Sequence, residues 1–201
     1  MKTVFIIRGF AFNSTAADAN FKSLRDMLSE HDYRVLPAPM MWNGQTLTSY
    51  VAKFVQFYEL EKGTQNMLMG GSFGAMASFI AAPLVKPDHL VLCSLSAFFR
   101  EDLSNYDKQY LINMFGSRRA EDLRTHSAPA IASQVMQAKV NTTMVYGEKE
   151  KVMYPHLVAR VRDTAAALHT SPIELSGAGH KMREPEYVAG LKSVLTRRTE
   201  A

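Results

Sequence analysis

Short apolar runs alternate along the chain with longer segments of helical periodicity. The longer segments place apolar side chains on one face, as Tyr50, Phe54 and Tyr58 do within residues 47–61. The apolar runs are brief and rich in β-branched residues, and they cover about residues 3–7, 33–36, 67–69, 89–93, 142–146 and 172–175. This alternation predicts βαβ units, and therefore an α/β fold with a mostly parallel six-stranded sheet and helices on both faces.

The same periodicity predicts further helices, and one region interrupts it. Helical spacing covers about residues 15–31, 128–138, 154–168 and 184–197, and an Ala-rich helix ends near residue 82. Residues 94–127 are irregular and rich in aromatic and charged side chains. Because ligands of an open parallel sheet bind beyond the carboxyl ends of its strands, candidate chemistry is sought directly after each strand.

Length and composition favour one globular domain over residues 1–201. A hydrophobic fraction of 47% and a charged fraction of 21% exclude an extensively disordered chain. The net charge of +4 is mild and the basic residues are scattered, which argues against a nucleic-acid partner. No apolar run reaches the length of a membrane span or a signal-peptide core, so no membrane span is expected.

The cysteine content bears on location and on metals. Cys93 is the one cysteine of the sequence, so no internal disulfide can form, and a reducing, cytoplasmic location is expected. Its place inside an apolar run predicts a small buried side chain. No Cys or His cluster has the spacing of zinc ligands, so neither a metal nor another cofactor is expected. The sequence does not specify an oligomeric state.

The strongest chemical motif is Gly70-Gly71-Ser72-Phe73-Gly74, between a predicted strand and the Ala-rich helix. The pattern G-x-S-x-G at a strand–turn–helix junction is typical of a nucleophile elbow, whose sharp turn demands small flanking residues and exposes the serine hydroxyl. The start of the helix also favours negative charge that forms there. Ser72 is therefore the candidate nucleophile.

A serine hydroxyl is a weak nucleophile without a base. In folds that carry a G-x-S-x-G nucleophile elbow, the acid follows the serine along the chain and the base follows the acid. Among the six histidines, His180 is the one that follows the last predicted strand, within Gly177-Ala178-Gly179-His180. The small residues of that loop would let the imidazole ring approach the elbow. His180 is therefore the candidate base.

The acid that orients the base is expected in the loop after the fifth strand, Gly147-Glu148-Lys149-Glu150. Glu150 is favoured over Glu148, because only a residue well clear of the strand end can reach under His180. Glu101 and Asp102 are a further alternative beyond the fourth strand.

An oxyanion hole requires two backbone N–H groups near the nucleophile. One is expected from Phe73, the residue directly after Ser72. The other is expected from Phe10, in the loop that follows the first strand after Arg8-Gly9.

Taken together, these motifs resemble the α/β-hydrolase superfamily over nearly the whole chain, through Arg8-Gly9-Phe10, Gly70-Gly71-Ser72-Phe73-Gly74, Gly147-Glu148-Lys149-Glu150 and Gly179-His180. The resemblance implies Ser72 as nucleophile, Glu150 as acid and His180 as base, in a minimal form of the fold that begins at the family's third strand. Two departures concern residue type: Arg8 stands where the family usually has His, and both acid candidates are Glu where Asp is usual.

The region where this family inserts a cap corresponds to residues 96–127. A short helical cap that lines an acyl pocket is one interpretation, and ordinary packing is the other, for Phe98, Phe99, Tyr106, Tyr110, Met114 and Phe115. Trp42, with Met40 and Met41, could form a second pocket wall but is favoured as core. Arg118, Arg119 and Arg124 could bind an anionic group of a substrate, but solvated charge is the favoured interpretation.

The sequence thus predicts a serine hydrolase that cleaves a small carboxylic ester or thioester through an acyl-enzyme. The alternatives are a non-catalytic module that binds a small molecule or a protein on the same fold, and a hydrolase that acts on an amide or a C–C bond.

Overall fold

Six parallel strands form a single sheet in the computed structural model, which describes residues 1–10 and 22–199. The strands lie in the spatial order β2-β1-β3-β4-β5-β6, and every neighbouring pair is parallel. Their bounds are β1 Lys2–Ile7, β2 Tyr33–Pro37, β3 Gln65–Gly71, β4 His89–Cys93, β5 Asn141–Gly147 and β6 Ile173–Leu175. The predicted fold class is confirmed, and all six predicted strands are present, with bounds that agree to within two residues.

Helices connect these strands. They are α1 Lys22–Ser29, α2 Leu47–Glu61, α3 Phe73–Val85, a 3₁₀ helix Arg100–Asn105, α4 Lys108–Phe115, α5 Ser117–Leu123, α6 Ala128–Gln137, α7 Glu150–Met153, α8 Pro155–Ala167 and α9 Pro185–Thr199. Within the described residues, no helix is both long and apolar enough to cross a membrane. The predicted helix over residues 15–31 is present as α1, and its part up to residue 21 lies outside the described residues.

Side chains that alternate along each strand build a separate apolar core on each face of the sheet. On one face Phe5 and Leu92 pack with α2, α3, α6 and α8. On the other face Ile6 and Val91 pack with α1 and α9. Because both faces are covered, the strands read as nearly continuous apolar runs, which explains why the hydrophobic pattern predicted them.

The order of the strands places a crevice near the middle of the sheet. β1 pairs with β2 on one side and with β3 on the other, and β3 pairs with β4, so the connections that leave β1 and β3 run in opposite directions. Ile7, the last residue of β1, is in register with Gly70 near the end of β3. The loop after β1 and the turn after β3 therefore lie side by side at the carboxyl edge of the sheet.

The region of residues 94–127 has an irregular hydrophobic pattern but is largely helical, because it contains the 3₁₀ helix, α4 and α5. Long-range contacts hold these short elements. In the 3₁₀ helix, Asp102 is buried against Arg160 of α8, with three N···O contacts of 2.6–3.1 Å. A lone buried charge would be costly, so this bidentate pair fixes the 3₁₀ helix against α8.

Arg119 of α5 was predicted to be a solvated charge, and this prediction is wrong. Its side chain is buried and donates to the backbone carbonyls of Gln45, Phe115 and Trp42, while its guanidinium lies 4.7 Å from the centroid of the Phe10 ring. Arg119 therefore joins α5 to the segment before α2. Arg118 and Arg124, in contrast, are exposed as predicted.

Asp122 joins α5 to the first turn of α2. Its carboxylate accepts from the backbone N–H and the hydroxyl of Thr48, at 3.0 and 2.6 Å, and lies 3.5 Å from His126 Nε2. A carboxylate at a helix N-terminus is favourable because the helix dipole is positive there. Burial alone would raise the pKa of Asp122, but hydrogen bonds from His126 and Thr48 outweigh it and lower the pKa to about 2.

We expect Asp122→Asn to reduce the free energy of unfolding at pH 7 by about 1 kcal/mol. An unfolded aspartate titrates near pH 3.9, so the stabilisation by the charged form is complete above about pH 4 and is lost as the pH falls toward 2. Denaturant unfolding of the wild type and of Asp122→Asn between pH 7 and pH 3 measures the difference in their free energies of unfolding. The difference should narrow below about pH 4, and a constant difference would contradict the assignment.

Candidate active site

Ser72 occupies a strained turn between β3 and α3, with φ of 55° and ψ of −122°. Its backbone N–H donates to the carbonyl of Cys93 at 2.9 Å, which ties the turn to β4. The flanking glycines are required by close packing: a Cβ on Gly70 would meet Ser78 and Gly74, and one on Gly74 would meet the carbonyls of Ile7 and Arg8. The turn therefore has the geometry expected of a nucleophile elbow.

His180 lies in the loop between β6 and α9, and its ring connects the two other candidate residues. Nε2 is 3.0 Å from Ser72 Oγ, and Nδ1 is 2.5 Å from Glu150 Oε1. An ionised carboxylate can only accept, so Nδ1 carries the proton and Nε2 accepts from the Ser72 hydroxyl. That tautomer is the one in which imidazole can act as a base toward serine.

Backbone contacts between two loops bring Glu150 to His180. The N–H groups of Glu148 and Lys149 donate to the carbonyls of Leu175 and Ala178, both at 3.0 Å, so the loop after β5 is joined to the chain after β6. Glu150 begins α7, is fully buried, and its Oε2 accepts from the Gly147 N–H at 2.8 Å and from the Ser94 hydroxyl at 2.9 Å.

The other acid candidates lie elsewhere. Glu148 accepts from the Gly177 N–H at 2.8 Å and from the Ser176 hydroxyl at 3.2 Å, and these bonds lower its pKa. Glu101 binds the hydroxyl of Ser127 and the N–H of Ala128. Asp102 is committed to its ion pair with Arg160 on α8. Of the four carboxylates weighed from the sequence, Glu150 is the one that the structure brings to His180.

The loop after β1 passes directly beside the elbow. A Cβ on Gly9 would lie 3.2 Å from the Gly71 carbonyl and 3.4 Å from Ser72 Cβ. The indole N–H of Trp42 donates to the carbonyl of Arg8 at 3.1 Å and so fixes the course of this loop. Phe10 thus comes next to Phe73, with ring centroids 5.6 Å apart. Trp42 itself is buried and stacks on Tyr50, as core packing predicts.

A cavity of about 420 Å³ opens at Ser72 and His180. Its walls are mostly apolar and rich in aromatic side chains, and two segments supply most of the lining residues. From the region of residues 96–127 come Ser96, Ala97, Phe98, Tyr106, Tyr110, Met114 and Phe115, and from the junction of α7 and α8 come Met153, Tyr154, Pro155, His156 and Leu157. Phe99, in contrast, packs in the core against Phe79.

Sequence reasoning missed several residues around the candidate site. The helical pattern over residues 154–168 includes Tyr154, whose ring centroid is 4.9 Å from that of His180, and His156, but gives no sign that either residue lies at the site. Ser96, whose Oγ is 3.1 Å from Ser72 Oγ, was also missed, as was Ser94. Both serines follow β4, so the rule that ligands bind beyond strand ends could have found them. Across residues 1–10 and 22–199, no three His, Cys, Asp or Glu side chains form a possible metal site.

Comparison with known proteins gives structural neighbours only. No protein-family profile matches the chain, and no curated protein matches it. Among solved structures, an α/β-hydrolase enzyme from the sediment metagenome of the Mar Chica lagoon, Morocco, is 17% identical, with a TM-score of 0.71 over 99% of this chain and 90% of that one.

Two further solved structures are similar over nearly the whole chain. Est1E from Butyrivibrio proteoclasticus, solved with ferulic acid bound, is 16% identical, with a TM-score of 0.75 over 99% of this chain and 88% of Est1E. The thioesterase domain from the curacin biosynthetic pathway is 17% identical, with a TM-score of 0.65 over 97% of this chain and 90% of that domain. The chain therefore has the α/β-hydrolase fold, as the resemblance in its motifs implied.

Proposed function

We propose that this chain is a serine hydrolase that cleaves a carboxylic ester or thioester through an acyl-enzyme, with Ser72 as nucleophile, His180 as base and Glu150 as acid. One observation carries the proposal. A continuous hydrogen-bonded series runs from Ser72 Oγ through both nitrogens of His180 to Glu150 Oε1, and its serine end opens into the aromatic cavity. A merely structural serine at a strained turn would not need this series.

In the proposed reaction, Ser72 is the nucleophile, and His180 acts first as a base and then as an acid. Ser72 Oγ attacks the carbonyl carbon while its proton passes to His180 Nε2. His180 then returns that proton to the departing alcohol or thiol, which leaves the acyl group on Ser72. In deacylation, His180 takes a proton from water, and the resulting hydroxide attacks the acyl carbon. The bond to Ser72 Oγ then breaks as His180 donates the proton to Ser72, and the carboxylic acid leaves.

Two charges develop in this reaction, an oxyanion on the substrate and an imidazolium at His180, and groups already in place would stabilise each of them. The backbone N–H groups of Phe10 and Phe73 are proposed to bind the oxyanion, and the start of α3 adds the positive end of a helix dipole. The buried carboxylate of Glu150 faces the imidazolium that forms at His180. A fully buried, preformed carboxylate acts strongly because little water screens it.

The cavity supports a medium-sized apolar or aromatic acyl group as substrate. Its volume of about 420 Å³ lies in the lower part of the range for small-molecule sites. Burial raises the pKa of Tyr106 in its wall to about 12, so that phenol stays neutral at pH 7. Esterase and thioesterase neighbours, including one that binds ferulic acid, agree with an ester or thioester. A cytoplasmic location accords with the buried, unpaired Cys93.

A series of p-nitrophenyl esters of rising acyl length tests this proposal. We expect kcat/KM to rise from the acetate to the hexanoate and to fall once the acyl chain is too long for the cavity. Each methylene that enters the cavity contributes at most about 0.8 kcal/mol, or about a fourfold increase. Phe98→Ala enlarges the cavity and should move the optimum to longer esters. An optimum that stays at the same length in this variant would contradict the placement of the acyl group.

The same assay separates the alternatives. Acyl thioesters and p-nitroanilides of the best acyl length distinguish thioesterase and amidase activity from esterase activity. A fluorophosphonate probe should label Ser72 at neutral pH. Absence of turnover on every substrate together with absence of labelling would overturn the hydrolase proposal and leave a non-catalytic binding module on this fold.

A further inference from the structure

Behind the candidate acid, a buried row of polar groups runs away from the cavity toward α9. The Tyr187 hydroxyl of α9 is 2.8 Å from Ser94 Oγ, and Ser94 Oγ is 2.9 Å from Glu150 Oε2. Cys93, Ser94, Glu150 and Tyr187 all have an exposed fraction of 0%.

The number of protons available fixes the direction of these bonds. A serine hydroxyl has one proton, and Glu150 as a carboxylate can only accept, so the proton of Ser94 lies toward Glu150. The Tyr187 hydroxyl must then donate to Ser94 Oγ. Burial is the main cause of the raised pKa of Tyr187 and of Cys93, so both keep their protons at neutral pH. Each bond in such a row polarises the next.

Two features indicate that this row of hydrogen bonds stabilises the buried carboxylate of Glu150. No lysine or arginine of the described chain pairs with Glu150, so neutral donors must solvate its buried charge. Ser94 also adopts a left-handed backbone conformation, with φ of 52°, although it is not glycine. That conformation is unfavourable for a residue with a Cβ, and it places the hydroxyl between Tyr187 and Glu150.

We propose that Ser94 and Tyr187 are positioning residues that hold Oε1 of Glu150 toward His180. With Oε2 held by the Gly147 N–H and the Ser94 hydroxyl together, the carboxylate cannot rotate about its terminal bond. With Gly147 alone, it can rotate and the bond from His180 Nδ1 loosens. Because this role is exerted through Glu150, it rests on the proposed function of that residue.

The test uses Tyr187→Phe, Ser94→Ala and Ser94→Gly, assayed with the best p-nitrophenyl ester. Ser94 and Tyr187 lie outside the set of described residues that line the cavity, so we expect kcat to fall about tenfold, or about 1.4 kcal/mol, with KM unchanged. Ser94→Gly removes the hydroxyl and also relieves the left-handed backbone, so it should be slow without loss of thermal stability. Tyr58→Phe, at a buried tyrosine of α2 away from the site, is the matched control and should retain wild-type kcat.

Two further measurements distinguish positioning from general destabilisation. In a Glu150→Gln background, Tyr187→Phe should cause no further loss of kcat, because the carboxylate that it supports is gone. By NMR, the strongly deshielded Nδ1 proton of His180 should move upfield in Ser94→Ala and Tyr187→Phe and stay in place in Tyr58→Phe. This signal needs no substrate, so it tests positioning even if no ester is cleaved.

Four results would overturn the positioning role of Ser94 and Tyr187. Wild-type kcat in Tyr187→Phe and in both Ser94 variants would overturn the proposal, as would a raised KM at constant kcat or an unchanged Nδ1 resonance. An equal loss of kcat in the Glu150→Gln background would also overturn it. If the resonance moves as expected but the wild-type protein neither turns over nor is labelled, the hydrolase proposal fails and the positioning of Glu150 stands.

Discussion

Ser72→Ala is expected to lower kcat on the best p-nitrophenyl ester by about a millionfold, the size of loss seen when the nucleophile of a Ser–His–acid triad is removed. The reason is that no other described oxygen nucleophile lies within hydrogen-bond reach of His180 Nε2. The fold should persist, because alanine keeps the Cβ and the turn is held by backbone contacts of Ser72, including the bond from its N–H to Cys93.

The measurement combines steady-state kinetics with covalent labelling. A fluorophosphonate should modify the wild-type protein at Ser72 and leave Ser72→Ala unmodified. Ser133→Ala, at an exposed position of α6, is the control for a serine substitution as such and should keep both turnover and labelling. Retention of either property in Ser72→Ala would remove Ser72 from the nucleophile role. Circular dichroism of the variant checks that the loss is not a loss of fold.

Local sequence was sufficient for the strands and for the elbow. β4 was predicted at both of its ends, because its apolar run is buried on both faces and is bounded by polar residues. The elbow was predicted because Gly70, Ser72 and Gly74 meet steric demands within a few residues of one another. In both cases, the forces that select the residue type act over short distances along the chain.

The environment of the carboxylate was not predictable in the same way. Chain order and loop position favoured Glu150 over Glu148, and the structure brings Glu150 to His180, but nothing near Glu150 in sequence reveals the hydroxyl groups behind it. Ser94 is 56 residues away from Glu150, and Tyr187 is 93 residues away from Ser94. Arg119 illustrates the same limit, since its buried state depends on carbonyls up to 77 residues distant. A single sequence offers no signal for such pairs.

Glu150→Gln is the second variant with a large expected effect, a fall in kcat of about ten-thousandfold. Glutamine has nearly the shape of glutamate, so packing should be preserved, but its terminal amide has one accepting and one donating end. The Gly147 N–H and the Ser94 hydroxyl both donate to the inner position, which selects the amide oxygen there. The amide nitrogen is then directed at His180 Nδ1.

That orientation of the amide reverses the tautomer of the His180 imidazole. A donor facing Nδ1 favours the tautomer in which Nδ1 accepts and Nε2 carries the proton, and an imidazole protonated at Nε2 cannot take the proton of Ser72. The variant also lacks the negative charge that faces the imidazolium in the transition state. KM should change little, because Glu150 lies outside the set of described residues that line the cavity.

Glu148→Gln is the matched control, two residues away in the same loop and with the same change of side chain. Its carboxylate binds Ser176 and Gly177 instead of His180, so kcat should remain within about twofold of wild type. Steady-state kinetics of the two variants side by side decide the assignment. A larger loss in Glu148→Gln than in Glu150→Gln would transfer the acid to Glu148, and it would require the loop after β5 to rearrange when substrate binds.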